Sequence, residues 1–258
     1  MSNWTREQTL VALNLYCQMP FGKIHKGNPI IIEMANRIKR TPSALAMKLV
    51  NLASLDPAII ESGRVGLSGA SALDREVWGD FQEDPDKIAY ESQLVVDAIA
   101  FKDETLDELS SGAGDEGSSQ NYFSENSVAN VVVRRKQNFF RKSVLSSYES
   151  KCCMTGVSHP DLLVASHIVP WAIDAHNRLN PANGLCLSAL HDKAYDRGLL
   201  TVLPDFTIRV SARLRDCVPS PLIAEYLLAL EGKTITLPNK FKPDPEFLRY
   251  HEKEIFRS

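Results

Sequence analysis

The sequence predicts an α+β chain in two parts, a helical N-terminal domain over 1–101 and a C-terminal domain over 128–258 in which two short strands precede a short helix. Three observations predict it. Helix-start residues followed by apolar positions at 3.6-residue spacing recur three times before residue 55. Two apolar runs bounded by turn residues, "LLVASHIV" and "GLCLSA", lie between 162 and 189 and read as strands. Between the two parts, the acidic segment containing "SSGAGDEGSS" (110–119) cannot bury enough apolar surface to offset ordering, so 102–127 reads as a linker.

The elements follow in order. In "WTREQTLVALNLY", Thr5 and Gln8 form a capping box and Leu10, Leu13 and Cys17 share a face, which predicts a helix over about 6–18. In "NPIIIEMANRIKR", Asn28 caps, Pro29 takes the first helical position and Ile31, Met34, Ala35 and Ile38 form the stripe. "TPSALAMKLVNLASL" repeats the device with Thr41 and Pro42, burying Leu45, Leu49 and Leu52. The tight connection between the last two is helix-turn-helix-like. In that geometry Ser43, Ala44, Met47 and Asn51 face outward with Lys48 at the edge, so Lys48 and Asn51 are candidate DNA contacts; a plain helical bundle is the other reading. A further helix is expected near 84–100. The C-terminal part opens with an amphipathic helix over about 134–148, with Phe140, Val144, Leu145 and Tyr148 inward and Arg134, Arg135, Arg141 and Lys142 outward. After the two strands, "LHDKAYDR" makes about two helical turns and stops at Gly198. "LLTVLPDFTIRVS" reads as a hairpin turning at Pro204 and Asp205, and "IAEYLLALEG" and "PEFLRYHEKEIF" as helices.

A net charge of −3 and a pI near 6.1 count, taken alone, against a nucleic-acid binder. The distribution weakens that objection. Residues 103–133 hold seven acidic residues and no Lys or Arg, which leaves +4 on the rest of the chain, and basic charge resumes at "RRKQNFFRK". No run of about 18 apolar residues and no secretory leader is seen, so a cytoplasmic chain without a membrane segment is expected. Five cysteines without framework spacing fit a reducing compartment.

Strand, loop, strand and helix carry His167 at the first strand's end, Asn183 before the second strand and His191 at the helix start. With "RRKQNFFRKSVLSSY", "CCMTG", "ASHIVPW", "RLNPANGLCLS" and "LHDKAYDRGLLTV", this order resembles the HNH endonuclease superfamily, nearest its restriction-type members. The resemblance covers about 134–203. It implies a ββα-metal fold, a divalent cation between hairpin and helix, and hydrolysis of DNA phosphodiester bonds in restriction or defence. Carried over residue by residue, His167 is the general base, Asn183 pins the loop to the base-bearing strand, and His191 is a metal ligand. The chemistry suits these types, because a neutral imidazole accepts a proton from water and a metal relieves charge on the phosphate.

The position before the base, often Asp or His in the family, is Ser166 here. A serine hydroxyl is a weak ligand, so Ser166 coordinates, or acts through water, or is replaced by Asp192 on the helix. An imidazole ligand adds Ni, Co or Zn to Mg and Mn as candidate metals. Only one cysteine of a CxxC pair is present at "CCMT", which argues against a zinc knuckle and makes Cys152 a small buried residue. Arg178, Lys193 and Arg197 are candidate phosphate contacts. One such site cuts one strand, so double-strand cutting needs a homodimer or two visits. The alternative reading, prompted by Ser166, is a DNA-binding or regulatory protein whose HNH fold is catalytically weakened.

Overall fold

In the computed structural model, residues 3–63, 69–110, 125–217 and 220–258 are described, with side chains omitted at 102–110, 125–129 and 217. Helix α1, Arg6–Gln18, starts at the predicted capping box, Thr5 and Gln8 exchanging side-chain to backbone bonds of 3.2 and 3.3 Å. The caps of α2, Pro29–Arg37, and α3, Pro42–Ala53, are Asn28 and Thr41, whose side-chain oxygens accept from Ile30 N at 2.9 Å and Ala44 N at 3.2 Å. Two helices without a sequence prediction follow: α4, Pro57–Glu61, capped by Asp56, and α5, Ala72–Glu83, opened by a Ser71/Asp74 capping box. Helix α6, Pro85–Ser110, runs past its predicted end, and α7, Glu125–Ser147, begins well before 134. Most of the predicted linker, residues 111–124, lies outside the described residues.

Lys48 is not at a surface edge as expected. It is 4% exposed, because position 48 falls on the buried stripe of α3 with Leu45, Leu49 and Leu52. Its Nζ lies 2.5 Å from Oδ1 of the fully buried Asp74 and 4.6 Å from the Trp4 ring centroid. A buried lysine needs such a partner, and one so placed has no reach to DNA. Asn51 is half-buried, beside Gly69, while Ser43 and Met47 are exposed.

In the C-terminal part, β1, Leu163–His167, pairs antiparallel with β2, Gly184–Ser188, in a register that sets His167 opposite Gly184. Helix α8, Ala189–Asp196, leaves β2 directly and packs under both strands, while α7 crosses them. Gly184 is required there: a Cβ would sit 2.4 Å from Val144 Cγ2 and 3.0 Å from Phe140 Cζ on α7. Gly198, at φ +67°, ends α8 where a Cβ would meet the Ile255 carbonyl oxygen at 2.0 Å. A second hairpin, β3 Leu200–Val202 and β4 Ile208–Val210, turns at Pro204 and Asp205. Of the predicted C-terminal helices, α9, Pro221–Tyr226, and α10, Pro245–Tyr250, are short, and α10 closes in a π-type turn over His251–Ile255.

Helix α1 packs on α3, α6 and α7, so one apolar core runs through both parts of the chain. Its polar centre is Lys240, fully buried, whose Nζ bonds the carbonyls of Tyr16, Cys17 (3.1 Å) and Met19 (2.7 Å) and Ser146 Oγ (3.1 Å). Those carbonyls are the unsatisfied acceptors at the end of α1, and an ammonium suits the negative end of a helix. Alongside, Tyr16 donates to Asp56 Oδ2 at 2.6 Å, and Phe241 packs edge-on to Tyr16 and Phe81.

Candidate active site

His167 ends β1, and three neighbours fix its ring. Phe140 of α7 stacks on it, centroids 3.7 Å apart and planes 10° from parallel. Trp171 meets it edge-on at 5.5 Å. Nε2 lies 2.9 Å from the Arg178 carbonyl oxygen, which can only accept, so Nε2 carries the proton and Nδ1 is left as the basic nitrogen. Burial holds the imidazole below its ordinary pKa, against a partial upward pull from the Arg178 carbonyl. The ring is therefore neutral at physiological pH. Gly184, opposite His167 in the ladder, makes the stack reachable, since any side chain there would displace Phe140.

Asn183 is 1% exposed and makes four bonds across the loop. Oδ1 accepts from Val169 N at 2.8 Å, Nδ2 donates to the carbonyls of Val169 at 3.1 Å and Asn177 at 3.2 Å, and its own carbonyl accepts from Ile168 N at 2.9 Å. These bonds tie the residues just after His167 to the segment that supplies Arg178.

His167 borders a cavity of about 320 Å³ whose other polar walls are Ser166, Asp192, Asp196 and His251. Asp192 and Asp196 stand one turn apart on α8, on the same face. Burial pushes the Asp192 carboxyl up, with Ser166 and Lys193 pulling it partly back. Burial and then the Asp192 charge push Asp196 up, against Lys193 and Arg197. Two carboxylates on one face, with the Asp192 charge raising Asp196, suit a cation between them. Ser166 is 2% exposed, and its Oγ is near enough to Asp192 to steady it yet makes no hydrogen bond of ordinary geometry. That orphaned hydroxyl fits a third oxygen donor. Among the described residues no group of three His, Cys, Asp or Glu side chains is placed to hold a metal, so any donor set here is two carboxylates completed by hydroxyl or water.

His191 is not in this cavity, contrary to expectation. With Ala194 and Tyr195 it forms the buried stripe of α8, and the ring is 2% exposed. Its Nδ1 is 2.5 Å from Ser188 Oγ and 3.9 Å from Cys152 Sγ, and Nε2 donates to the Tyr226 carbonyl at 3.0 Å. Burial works against its charge, but Cys152 and the Tyr226 carbonyl more than offset this, so its pKa is raised. Both ring nitrogens are occupied, and helical phase turns the side chain away from Asp192 and Asp196. Cys152 is buried, as expected.

Of the candidate phosphate contacts, Lys193 and Arg197 are exposed beside the two carboxylates. Arg178 is half-buried: Nε donates to the Trp171 carbonyl at 2.8 Å and the guanidinium lies 5.3 Å from the Trp171 ring centroid. Sequence reasoning did not single out His251, which arrives from the C-terminal helix to bond Thr201 Oγ1 at 2.9 Å and stack on Tyr195. It also left the role of Asp196 open, although the i, i+4 spacing from Asp192 is in the sequence.

Among the described residues no helix is long and apolar enough to cross a membrane. No curated protein matches the chain. Residues 152–203 match the family model described as HNH endonuclease, a span holding β1, the Asn183 loop, β2 and α8. The chain thus carries, over 152–203, a domain of the HNH endonuclease superfamily.

Proposed function

We propose that this protein is a metal-dependent endonuclease that hydrolyses DNA phosphodiester bonds with His167 as general base. The observation that carries the reading is the ring of His167, whose Nε2 is held by the Arg178 carbonyl so that Nδ1 is the basic nitrogen, and which lines one cavity with Ser166, Asp192 and Asp196. Nδ1 accepts the proton of the attacking water, and the ring then carries a positive charge between Phe140 and the carboxylates. Asn183 supports this as a positioning residue, holding the loop whose Arg178 carbonyl sets the tautomer. Lys193 and Arg197 hold flanking phosphates at the cavity rim.

Asp192 and Asp196, with Ser166 completing the set, would hold the divalent cation. When bound, the cation supplies Lewis-acid relief of charge on the phosphate and the leaving oxygen. Oxygen donors suit Mg or Mn; the case for Ni, Co or Zn rested on His191, which lies elsewhere. The likeness of the five sequence segments to restriction-type members supports a role against foreign DNA. Exposed Ser43 and Met47 on α3 support a DNA-positioning role for the N-terminal helices, with Asn51 half-buried at its edge and without Lys48.

The test is cleavage of supercoiled DNA by the full chain and its His167→Ala variant with EDTA, Mg or Mn. Metal-dependent cutting by the parent and DNA binding without cutting by the variant support the reading. DNA binding without cutting by both would favour the weakened, regulatory alternative.

A further inference from the structure

A second cavity, of about 290 Å³, opens on the other side of His167, between α7 and the loop after β1. It shares Val164, Ala165, His167 and Trp171 with the acidic cavity and adds Gln137, Phe140 and Arg141 from α7. The chemistry of the two is opposite. The first is walled by two carboxylates, whereas the second has none and offers an indole, a guanidinium and a primary amide. Substrate in the nuclease reading has the same two-part character, a charged phosphodiester joined to a planar base. His167 borders both cavities, so a substrate whose reacting phosphate lies at the acidic one has room for an attached nucleoside past Val164 and Ala165 in the other.

We infer that the cavity between Gln137 and Trp171 is a nucleoside subsite, in which the base adjoining the scissile phosphate stacks on Trp171 and is held at its edge by the Gln137 amide. Trp171 is built as a platform. Its backbone carbonyl is bonded by Arg178 Nε, the Arg178 guanidinium lies 5.3 Å from its ring centroid, and its ring meets His167 edge-on. The side chain is nonetheless only partly buried. Arg141 is fixed below by bonds to the carbonyls of Leu163 and Pro160, so it lends charge without reaching out. Gln137 is exposed on α7, one turn before Arg141, and its amide both donates and accepts. At about 290 Å³ the space sits near the roughly 300 Å³ lower end of small-ligand cavities, enough for one nucleoside and not for a duplex. Base stacking on an aromatic ring is sequence-tolerant, so Trp171 sets affinity and Gln137 modulates preference among bases.

The inference rests on the endonuclease reading, and the test separates the two. Thymidylyl-thymidine has one phosphodiester and hence one register; it and its two analogues lacking either base are titrated into the full chain in EDTA. The indole N–H signals of the three tryptophans are followed by NMR, that of Trp171 assigned by Trp171→Phe. The expected result is a shift of the Trp171 signal, about tenfold weaker binding when one particular base is missing, and little change when the other is. Trp171→Leu weakens the parent dinucleotide about tenfold and makes the missing base cost nothing further, and Gln137→Ala changes the ranking among the four homodinucleotides. Should Trp171→Leu fail to fold, Trp171→Phe and Gln137→Ala carry the test. Equal affinity for all three ligands from a preparation that cuts supercoiled DNA overturns the subsite alone. A preparation that neither binds nor cuts DNA overturns the endonuclease reading.

Discussion

His167 donates from Nε2 to the carbonyl oxygen of Arg178 at 2.9 Å, and that bond leaves Nδ1 as the basic nitrogen of the ring. With His167 as the proposed general base, cleavage is expected to depend on the neutral ring. Burial places its pKa below the ordinary 6.5, so the acid limb of the pH–rate profile should fall below pH 6.5, with full activity retained through neutrality. Measuring kcat/KM from pH 4.5 to 8 checks it. His167→Ala should lower the rate by about 10²–10⁴-fold without loss of DNA affinity.

Gly184→Ala should disturb both fold and activity, because the new Cβ would sit 2.4 Å from Val144 and 3.0 Å from the Phe140 ring that stacks on His167. A cost of about 1–3 kcal/mol is expected for such overpacking, read from urea unfolding, together with a fall in cleavage rate. A smaller α7 neighbour should recover part of it, so Val144→Ala in the same chain is the companion variant.

The carboxylates and His191 should separate cleanly. Asp192→Asn or Asp196→Asn should weaken Mn binding by at least tenfold in calorimetric titration while sparing the thermal midpoint. His191→Ala should do the reverse, losing about 1–3 kcal/mol as Ser188 Oγ and the Tyr226 carbonyl lose their partner, with Mn affinity retained once folded. Loss of Mn binding in His191→Ala with an intact fold would place the imagined ligand back on His191.

Acid should destabilise the fold through His251. Burial pushes its pKa down to about 3, against a partial upward pull from the Tyr195 carbonyl, while in the unfolded chain it titrates near 6.5. Between those values the unfolded state binds the extra proton, so stability falls as pH drops from 6.5 toward 3, at up to about 1.4 kcal/mol per pH unit. His251→Asn should flatten that slope in a series of urea midpoints. The buried His167 adds to the same window and should remain in the variant.

What the sequence made legible was local. Thr5, Asn28 and Thr41 announce their helices because caps and first-turn prolines act within four residues. The apolar run through His167 and the run after Asn183, each bounded by turn residues, announce the hairpin in the same way. Matching His191 to a motif letter was less informative than its helical phase: positions 191, 194 and 195 share the buried face, and 192 and 196 the other. Lys48 reads as a surface residue until Asp74, 26 positions later on an unpredicted helix, is seen to neutralise it. Gln137 and His251 reach the site by tertiary packing, which no local spacing encodes.

The most direct test of the central claim is Mn-dependent nicking of supercoiled DNA by the full chain beside His167→Ala, Asp192→Asn and Asp196→Asn, each first shown to be folded. Cutting by the parent alone is expected, abolished by EDTA, with the His167 variant still bound to DNA. Cutting by folded His167→Ala at the parent rate would contradict the claim.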